Sequence, residues 1–401
     1  MTNVQRKPLD WVNIAFLTVT PLVAVFGTAW YAWHYGVTKL ELGLFFVMYM
    51  FTGMGITAGY HRYYSHRTYD CSPALQLFYL IFGAAAVENS ALHWCSDHRY
   101  HHQFVDSDED PYNILRGGLY AHMGWIFYKD TRDQKALYNN IPDLMKDPLV
   151  RWQDRWYLFL VVAVCFGLPT LVGAMAGRPV GGLLWGGFLR VVVVQHATFF
   201  INSLAHLWGT KPYSLKDTAR DNGVLGLVTF GEGYHNFHHK FQADYRNGYR
   251  WYQIDITKWW LLTMRWFGQA WRLKRTPEPL ILRAKLEVQM QGVGARLAKV
   301  NATDRMVRKV GYRLERGRRR LELAHAQYRQ AMLDYRRQGA LWTEDVHRQW
   351  DVKAVAYKAE LAEARRRWQG LMEAMERIPH PTPQQAFSVM AVLDLFKGKH
   401  F

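Results

Sequence analysis

The chain has 401 residues, enough for one large core or for two separate units. Half of the residues are hydrophobic, and 50 Lys and Arg against 33 Asp and Glu give a net charge of +17. The three cysteines, Cys71, Cys95 and Cys165, lack zinc-type spacing, and their odd number argues against a disulfide framework. These features exclude a disulfide-stapled secreted domain and indicate reduced, structural thiols.

Four apolar segments are long enough to cross a bilayer, which takes about 20 mostly apolar residues. They are residues 10–33, 40–60, 156–176 and 181–204. A short connection joins the first to the second and the third to the fourth, so each pair is predicted to form an antiparallel hairpin. Basic residues precede the first and third segments, which predicts that this side and both termini are cytoplasmic. In a bacterium the membrane would be the inner one.

A fifth apolar stretch, residues 72–87, carries Pro73, Glu88 and Asn89 at its ends. We predict that it lies at the cytoplasmic interface of the membrane rather than crossing it. A crossing would put the histidines before and after it on opposite faces of the membrane. Residues 251–273 are rich in Trp and are also predicted to form an interfacial helix, because Trp favours the headgroup level.

The segment from residue 277 onward has a different character, and we predict a division into residues 1–276 and 277–401. Residues 273–378 contain 24 Lys and Arg against 13 Asp and Glu. Apolar side chains recur every seven positions in two runs, Leu314, Leu321, Tyr328 and Tyr335, then Trp350, Tyr357, Ala364 and Leu371. With Gly339 to end one helix and Thr343 to cap the next, this pattern predicts an antiparallel helical hairpin of coiled-coil type.

Twelve of the 17 histidines fall between residues 61 and 239, and most of them stand in tight groups. The groups are HxxxxH at His61 and His66, HxxHH at His98, His101 and His102, HxxHH at His235, His238 and His239, and the single His206. Each follows a predicted span or interfacial helix on the cytoplasmic side, so we expect them to converge on one site. An ordinary core or surface role is expected for His34, His93, His122, His196, His325, His347, His380 and His400.

The spacing within the groups predicts how the rings point. In a helix, positions i, i+3 and i+4 lie on one face, so each HxxHH group is predicted to aim three imidazoles at one volume. His61 and His66 are five positions apart, about 140° around an α-helix. Their rings are expected to diverge unless the helix ends there or the two residues bind different metals.

The number of histidines indicates two metals. Imidazole suits zinc, copper, iron and nickel, so the ligand type alone does not select the metal. A structural zinc site has four ligands, and here eight or nine are available. The predicted fold is an all-α integral membrane protein: four transmembrane helices in two hairpins, a cytosolic helical cap holding a poly-histidine dimetal site, and the C-terminal helical hairpin.

Four motifs in this order carry a family resemblance: "GITAGYHRYYSH", "DHRYHHQFVDSDEDPYN", "NSLAHLWG" and "GEGYHNFHH". Together they resemble the membrane-bound fatty acyl desaturases of the stearoyl-CoA or acyl-CoA delta-9 type, in a bacterial-like form. The resemblance covers about residues 10–270 and does not extend to the tail from residue 277.

The resemblance implies an oxygen-dependent oxidoreductase with two iron ions (Fe2+/Fe3+). Its metal ligands, which are also the catalytic residues, would be His61, His66, His98, His101, His102, His206, His235, His238 and His239, with Asn202 reaching one metal through water. The implied reaction removes two hydrogens from adjacent methylenes of a saturated acyl chain, most often between carbons nine and ten, while O2 is reduced to water.

The resemblance also implies substrate contacts. Tyr49 and Gly53 match positions near the far end of the acyl tunnel and would determine chain length. Asn89, Trp94 and Asp97 match positions that contact the thioester end of the substrate. Ser96 stands where the animal enzymes carry an arginine that binds the CoA headgroup, so the acyl chain could be carried on CoA or on a phospholipid. Carboxylates expected to orient imidazoles are Asp106, Asp110 and Glu232.

The partners follow from the chemistry. The sequence contains no cytochrome-type haem motif, so we expect a separate electron donor of ferredoxin, rubredoxin or cytochrome type with its reductase. A basic cytoplasmic surface would attract an acidic carrier. Membrane lipids are expected partners, whereas the run "RGRRR" at residues 316–320, interspersed with Glu, is not expected to bind nucleic acid.

Two other functions remain open. A histidine-rich di-iron membrane hydroxylase would insert oxygen instead of removing hydrogens, although the HxxxxH, HxxHH, HxxHH order favours desaturation. A non-enzymatic membrane scaffold could use the basic tail to bind a partner or anionic headgroups. The scaffold hypothesis leaves the histidines unexplained.

Overall fold

The computed structural model describes residues 8–131, 138–299, 302–339 and 342–376. Arg6 and Lys7, which precede the first apolar segment, lie outside the described residues, as do His380 and His400. The described residues divide into two compact units, one within residues 1–211 and 215–275 and the other within 212–214 and 276–401.

The first unit is built from helices. They are α1 (Trp11–Tyr35), α2 (Lys39–Ser65), α3 (Pro73–Ala84), α4 (Ala91–Phe104), α5 (Gly118–His122), α6 (Pro148–Arg155), α7 (Tyr157–Met175), α8 (Pro179–Leu207), α9 (Gly223–Val228), α10 (His235–Lys240) and α11 (Ile256–Trp266). Short 3-10 turns lie at Ile114–Arg116, Gly124–Phe127 and Leu144–Lys146. One two-stranded antiparallel sheet pairs β1 (Asp70–Cys71) with β2 (Ala270–Trp271).

Four of these helices, α1, α2, α7 and α8, are long and apolar enough to cross a membrane, with 25, 27, 19 and 29 residues. The four predicted spans and the all-α membrane fold are therefore confirmed. Thr38 and Glu41 form a capping box that starts α2 immediately after α1 ends at Gly36. The Arg178 guanidinium, between α7 and α8, donates to the buried Glu41 carboxylate and to the carbonyls of Tyr35 and Gly36. This contact joins the connections of the two hairpins.

The fifth apolar stretch forms α3, which has 12 residues. At 1.5 Å per residue this helix is about 18 Å long, too short for a hydrocarbon core of about 30 Å. It packs against α2 at very close range, since a Cβ on Gly55 would lie 2.4 Å from the backbone nitrogen of Gly83. The prediction that this stretch does not cross the membrane agrees with the helix length.

The second half of α2, Gly55–Ser65, is wound as a π-helix. The amide of His66 donates to the carbonyl of His61 at 3.1 Å, an i→i+5 hydrogen bond. Such a bond places residues five positions apart about one turn apart, on the same side of the helix. π-helical segments are often found at functional sites, and this one carries the first predicted histidine group.

The second unit contains α12 (Glu278–Lys299), α13 (Asp304–Gln338) and α14 (Glu344–Glu376). Near the connection, the rings of Tyr335 and Trp350 stack with centroids 4.3 Å apart, and further away Gly317 of α13 lies against Trp368 of α14. These pairs define an antiparallel register for α13 and α14. The predicted helical hairpin is present, with Gly339 at the end of α13, and α12 packs on it as a third helix that the heptad pattern did not predict.

Candidate metal centre

All nine predicted histidine ligands gather into two groups at the ends of α2, α4, α8 and α10. One group contains His61, His66, His98, His102 and His238, and the other contains His101, His206, His235 and His239. Within each group, one nitrogen per residue lies within 4.8 Å of the others. We call these the five-histidine group and the four-histidine group.

The π-helical end of α2 explains how His61 and His66 share one group. Their ring centroids lie 4.8 Å apart, although an α-helix would have pointed the rings in different directions. The spacing allowed the rings to meet only if the helix ended at this point, and otherwise predicted two different metal sites. The helix α2 does end at Ser65, and the two rings meet in one group. Their Nε2 atoms contact partners from other helices, with His61 3.0 Å from His238 and His66 2.8 Å from His98.

Each HxxHH motif contributes to both groups, which corrects the prediction of three imidazoles aimed at one volume. On α4, His98 and His102 belong to the five-histidine group and His101 to the other. On α10 the assignment is exchanged, since the i and i+4 pair, His235 and His239, belongs to the four-histidine group. The physical reason is that adjacent helical positions point about 100° apart, so positions i+3 and i+4 face neighbouring volumes.

Carboxylates lie next to Nδ1 of three rings, at close range for His61 and His101 and at longer range for His239. Nδ1 of His61 lies 2.8 Å from Glu232 Oε2, and Nδ1 of His101 lies 2.9 Å from Asp110 Oδ1. Asp217 Oδ2 is 3.9 Å from Nδ1 of His239. Such outer partners fix the tautomer and the direction of a ligating imidazole.

Asp106, also expected to orient an imidazole, acts through an intermediate residue. Nδ1 of His206 is 2.7 Å from Thr218 Oγ1, and the Thr218 hydroxyl lies 2.6 Å from Asp106 Oδ1. Neither Thr218 nor Asp217 was identified from the sequence, because they stand in a loop with no histidine-like spacing. Only their position in space relates them to the site.

Glu232 belongs to a buried ion network that holds its carboxylate next to His61. The Arg62 guanidinium, next to His61 on α2, donates to Glu232 Oε1 at 2.9 Å and to Asp255 Oδ1 at 3.0 Å. Asn247 Nδ2 donates to Glu232 Oε2 at 2.5 Å. Burial favours the neutral acid, but Arg62 and His61 together hold the pKa of Glu232 below its ordinary value. The acceptor that orients His61 is therefore a carboxylate.

The donor set fits metal ions. Five Nε2–Nε2 contacts between histidines lie between 2.8 and 3.4 Å. Burial, followed by repulsion between neighbouring rings, holds the pKa of His66, His98 and His238 well below the ordinary value. The carboxylates next to Nδ1 of His61 and His101 favour a free lone pair on Nε2 of these two rings, and the convergence of these Nε2 atoms with those of the other neutral rings fits a cation between them. Nε2 of His206 is buried and has no hydrogen-bond partner among the described residues.

Asn202, the predicted water-mediated partner, is half-buried at the end of α8, four positions before His206. His122 and His196 fall outside both groups and contact each other, with Nε2 of His122 3.0 Å from Nδ1 of His196. His34, for which an ordinary role was also expected, is exposed near the C-terminal end of α1 and contacts the Trp30 carbonyl. These three histidines are separate from the candidate centre.

A small apolar cavity lies between α2 and α8, close to the histidine groups along both helices. It is lined by Gly53, Ile56, Thr57, Val194, Ala197, Thr198, Ile201, Thr229 and Phe230. The Phe230 ring is 4.9 Å from the ring of Tyr49, and a Cβ on Gly53 would lie 2.3 Å from the same ring. Tyr49 and Gly53 thus meet at one side chain of the cavity wall.

The residues expected at the thioester end lie at the start of α4. Trp94 stacks on the His98 ring with centroids 5.0 Å apart, and its Nε1 donates to Glu88 at 3.2 Å. Asn89 Nδ2 is 3.4 Å from His93 Nδ1, which lies 3.3 Å from Asp97. Glu88 was not identified from the sequence as a site residue, since only its contact with Trp94 connects it to the centre.

Comparison with known proteins agrees with this architecture. The fatty acid desaturase family model matches residues 38–265. Acyl-CoA desaturase 1 of Saccharomyces cerevisiae is 42% identical over 303 residues, covering 75% of this chain and 58% of the yeast protein. Stearoyl-CoA desaturase 5 of Homo sapiens is 33% identical over 284 residues, covering 69% of this chain and 84% of the human protein.

Delta(9)-fatty-acid desaturase fat-7 of Caenorhabditis elegans is 34% identical over 261 residues, covering 63% of this chain and 76% of that protein. The matches to the yeast relatives span about three fifths of their length, 58% in Saccharomyces cerevisiae and 61% in Schizosaccharomyces pombe. The four apolar helices, the histidine groups and these matches show that the chain is an integral membrane protein of the fatty acid desaturase family.

Proposed function

We propose that this protein is an acyl desaturase that introduces a cis double bond into a saturated acyl chain. The observation that carries the proposal is the pair of histidine groups, whose Nε2 atoms converge beside an apolar cavity. The family match over residues 38–265 and relatives named acyl-CoA, stearoyl-CoA and delta(9) desaturases support it. The position between carbons nine and ten is part of the proposal.

The proposed cofactor is a pair of iron ions held by the nine histidines, with Asn202 contributing through water. Iron at this site would supply the oxidising power for unactivated C–H bonds, which side chains lack. The overall reaction converts a –CH2–CH2– unit, O2, two electrons and two protons into –CH=CH– and two water molecules. Glu232, Asp110 and Thr218 fix the imidazoles, and Arg62 keeps Glu232 in place.

The apolar cavity would hold part of the acyl chain and exclude water from the reacting carbons. Tyr49 donates to the Val228 carbonyl at 2.9 Å, which fixes its ring against Phe230. A side chain added at Gly53 would push Phe230 from its position. We therefore propose that Tyr49 and Gly53 limit the length of the acyl chain through Phe230.

The names of the relatives favour an acyl-CoA substrate, with a phospholipid-bound chain as the alternative carrier. Asn89, Trp94 and Asp97 would contact the thioester end. Ser96, which replaces the arginine of the animal enzymes, is fully buried and donates to Asn140 Oδ1 at 3.0 Å. A CoA headgroup would consequently be bound by other residues than Ser96.

Electrons would come from a separate ferredoxin-, rubredoxin- or cytochrome-type protein with its reductase. The metal site and both termini would face the cytoplasm, where such carriers are found, and where basic residues precede the first and third spans. We further propose that residues 1–276 carry the activity and that the basic segment 277–401 is an accessory domain.

Expression in a host that lacks unsaturated fatty acids, followed by gas chromatography of its lipids, tests the function. We expect a new monounsaturated acid, and about two iron ions per purified chain. His98→Ala should abolish the product. His34→Ala should leave it unchanged, because His34 is exposed at the C-terminal end of α1 and belongs to neither histidine group. An unchanged lipid profile with iron and a donor supplied would overturn the proposal, and a hydroxylated lipid without an alkene would establish the hydroxylase instead.

A further inference from the structure

Arg190 is a fully buried arginine within the membrane-spanning helix α8, with none of its side chain exposed. Its guanidinium donates to the carbonyls of Ala85 at 2.6 Å, Gly186 at 3.0 Å and Cys165 at 3.2 Å. It also lies 3.3 Å from the Cys165 sulfur. A charged side chain inside a membrane is costly and usually has a function, and all four of these acceptors are neutral.

The end of α3 supplies the compensation for this charge. Ala85 is the C-terminal cap of α3, and the last carbonyls of a helix carry partial negative charge and lack partners within the helix. The shortest Arg190 contact is with one of these carbonyls. Arg190 therefore caps α3 from a different helix and fixes the point at which the chain leaves it.

Gln195, one and a half turns further along α8, holds the next two carbonyls. Its Nε2 donates to Val87 at 2.9 Å and to Ala86 at 3.3 Å. Three successive carbonyls, of residues 85–87, are thus bound by side chains of α8. Val87 has φ of 57°, an unfavourable conformation for a β-branched residue that persists only where its surroundings impose it.

The same turn leads directly to the residues proposed to contact the substrate. Glu88 accepts from Trp94 Nε1, and Trp94 stacks on His98. The amide of Asn89 donates to the hydroxyl of Tyr157 at 3.0 Å. Any shift of the 85–87 carbonyls would be passed to Glu88 and Asn89, and then to Trp94.

We propose that Arg190 and Gln195 are positioning residues that hold the 85–89 turn and thereby set where the head of the acyl chain lies relative to the metal centre. The proposal rests on the proposed desaturase function. It extends that function by assigning control of the double-bond position to two residues that belong neither to the histidine groups nor to the lining of the apolar cavity. Neither residue needs to touch the substrate.

Gln195→Leu and Arg190→Met test the proposal in the full-length, iron-loaded protein. Both variants remove the donors and keep similar side-chain volumes. We expect KM for the acyl substrate to rise about tenfold, as for the loss of one hydrogen bond to a charged or strained partner. Positional isomers of the alkene should appear, while iron per chain stays unchanged. Arg190→Lys, which keeps the charge and one donor group, should restore part of the wild-type isomer distribution.

Cys165→Ala is the matched control, because it removes one acceptor of Arg190 and leaves in place the donors that bind the carbonyls of residues 85–87. It should leave KM and the double-bond position unchanged. If Arg190→Met does not fold, Gln195→Leu still tests the proposal with Arg190 intact. Wild-type KM and a single isomer in Gln195→Leu, or a loss of iron without positional isomers, would overturn the positioning role and leave the desaturase function standing. Absence of any alkene from the wild type would overturn both.

Discussion

Arg62 and Arg190 are both buried in membrane-spanning helices of the first unit, with 1% and 0% of their surface exposed, but their partners differ. Arg62 lies between two carboxylates, Glu232 and Asp255. Among the residues that the structure describes, Arg190 donates to three carbonyls and a thiol. One arginine thus belongs to a charged network, and the other compensates the end of a helix.

The two arginines hold different parts of the first unit in place. Arg62 neutralises the carboxylate that orients His61, so its charge is part of the framework of the metal centre. Arg190 binds backbone, so its geometry fixes the course of the chain between α3 and α4. Loss of the first arginine should expose a charge imbalance at the centre, whereas loss of the second should leave neutral acceptors unpaired.

The largest effect is expected for Arg62→Met. Removing one partner of a buried ion network leaves two uncompensated carboxylates, which costs about 3–5 kcal/mol of stability. Arg190→Met leaves unpaired carbonyls, and the expected cost is about 1–3 kcal/mol. Thermal unfolding in detergent measures both variants, and Arg62→Met should also lose iron. Equal losses of stability and iron in the two variants would contradict the comparison.

A compensated variant sharpens this test. Replacing Glu232 and Asp255 by Gln and Asn in the Arg62→Met background removes the unpaired charges, and most of the lost thermal stability should return. Iron binding should stay weak, because a neutral amide holds His61 less firmly than a carboxylate.

A smaller effect is expected for Glu232→Gln alone. Loss of a carboxylate that orients a ligating histidine typically costs 10–100-fold in metal affinity or activity. We expect that range for Glu232→Gln at the five-histidine group and for Asp110→Asn at the four-histidine group. Iron retained during titration with a chelator measures each, and loss of about one ion per chain in either variant would assign the two groups. Full retention of both ions would contradict the roles of these carboxylates.

Glu88 tests whether Arg190 truly lacks a counter-charge. Burial raises the pKa of Glu88 to about 8, the opposite of what a nearby arginine would do. The folded protein therefore keeps a proton that the unfolded chain has already lost. This group's contribution to stability is complete below its ordinary pKa of 4.5 and is lost as the pH rises through about 8.

Glu88→Gln keeps an acceptor for Trp94 and removes this titration. We expect wild type and variant to unfold at similar temperatures near pH 5, and the variant to gain a few degrees by pH 9. Melting curves over this pH range in detergent measure the difference. A constant difference at every pH would show that Glu88 is already ionised, and would reopen the possibility that it neutralises Arg190.

Much of the first unit could be predicted from the sequence, because bilayer thickness fixes the length of a span and histidine spacing is distinctive. The four spans and the shared location of nine histidines followed from those two patterns. The sorting of His101 and His238 away from their neighbours did not, since it depends on how α4 and α10 face each other. The meeting of His61 and His66 required the π-helical end of α2, for which "GITAGYHRYYS" gives no local signal.

The partners of buried charges were also beyond the sequence. Arg62 and Asp255 are 193 positions apart, and Arg190 and Ala85 are 105 apart. Such pairs form only when the helices are assembled, and a single sequence contains no periodicity that relates them. The C-terminal hairpin shows the opposite case, because members of its two seven-residue runs lie in its core, Leu314 and Leu321 from the first run and Leu371 from the second.

The smallest effect is expected from deleting residues 277–401. The second unit has its own hydrophobic core, which includes Val310 and Met375, and Lys285 lies 5.1 Å from the ring of Tyr213 within the same unit. Deletion would expose Tyr213, so we expect a slight loss of thermal stability with desaturation and iron content retained. Tyr213→Ser in the full chain is the control for that exposure.

The deletion also isolates the comparison between the two arginines. Both Arg62 and Arg190 contact only first-unit residues in the bonds described above, so Arg62→Met should still cost more stability than Arg190→Met in the shortened chain, by the same margin. Thermal unfolding of Arg62→Met and Arg190→Met, each in the full chain and in the shortened chain, measures that margin. If the margin disappears on deletion, the accessory segment takes part in holding one of the two networks, and the activity cannot be assigned to residues 1–276 alone.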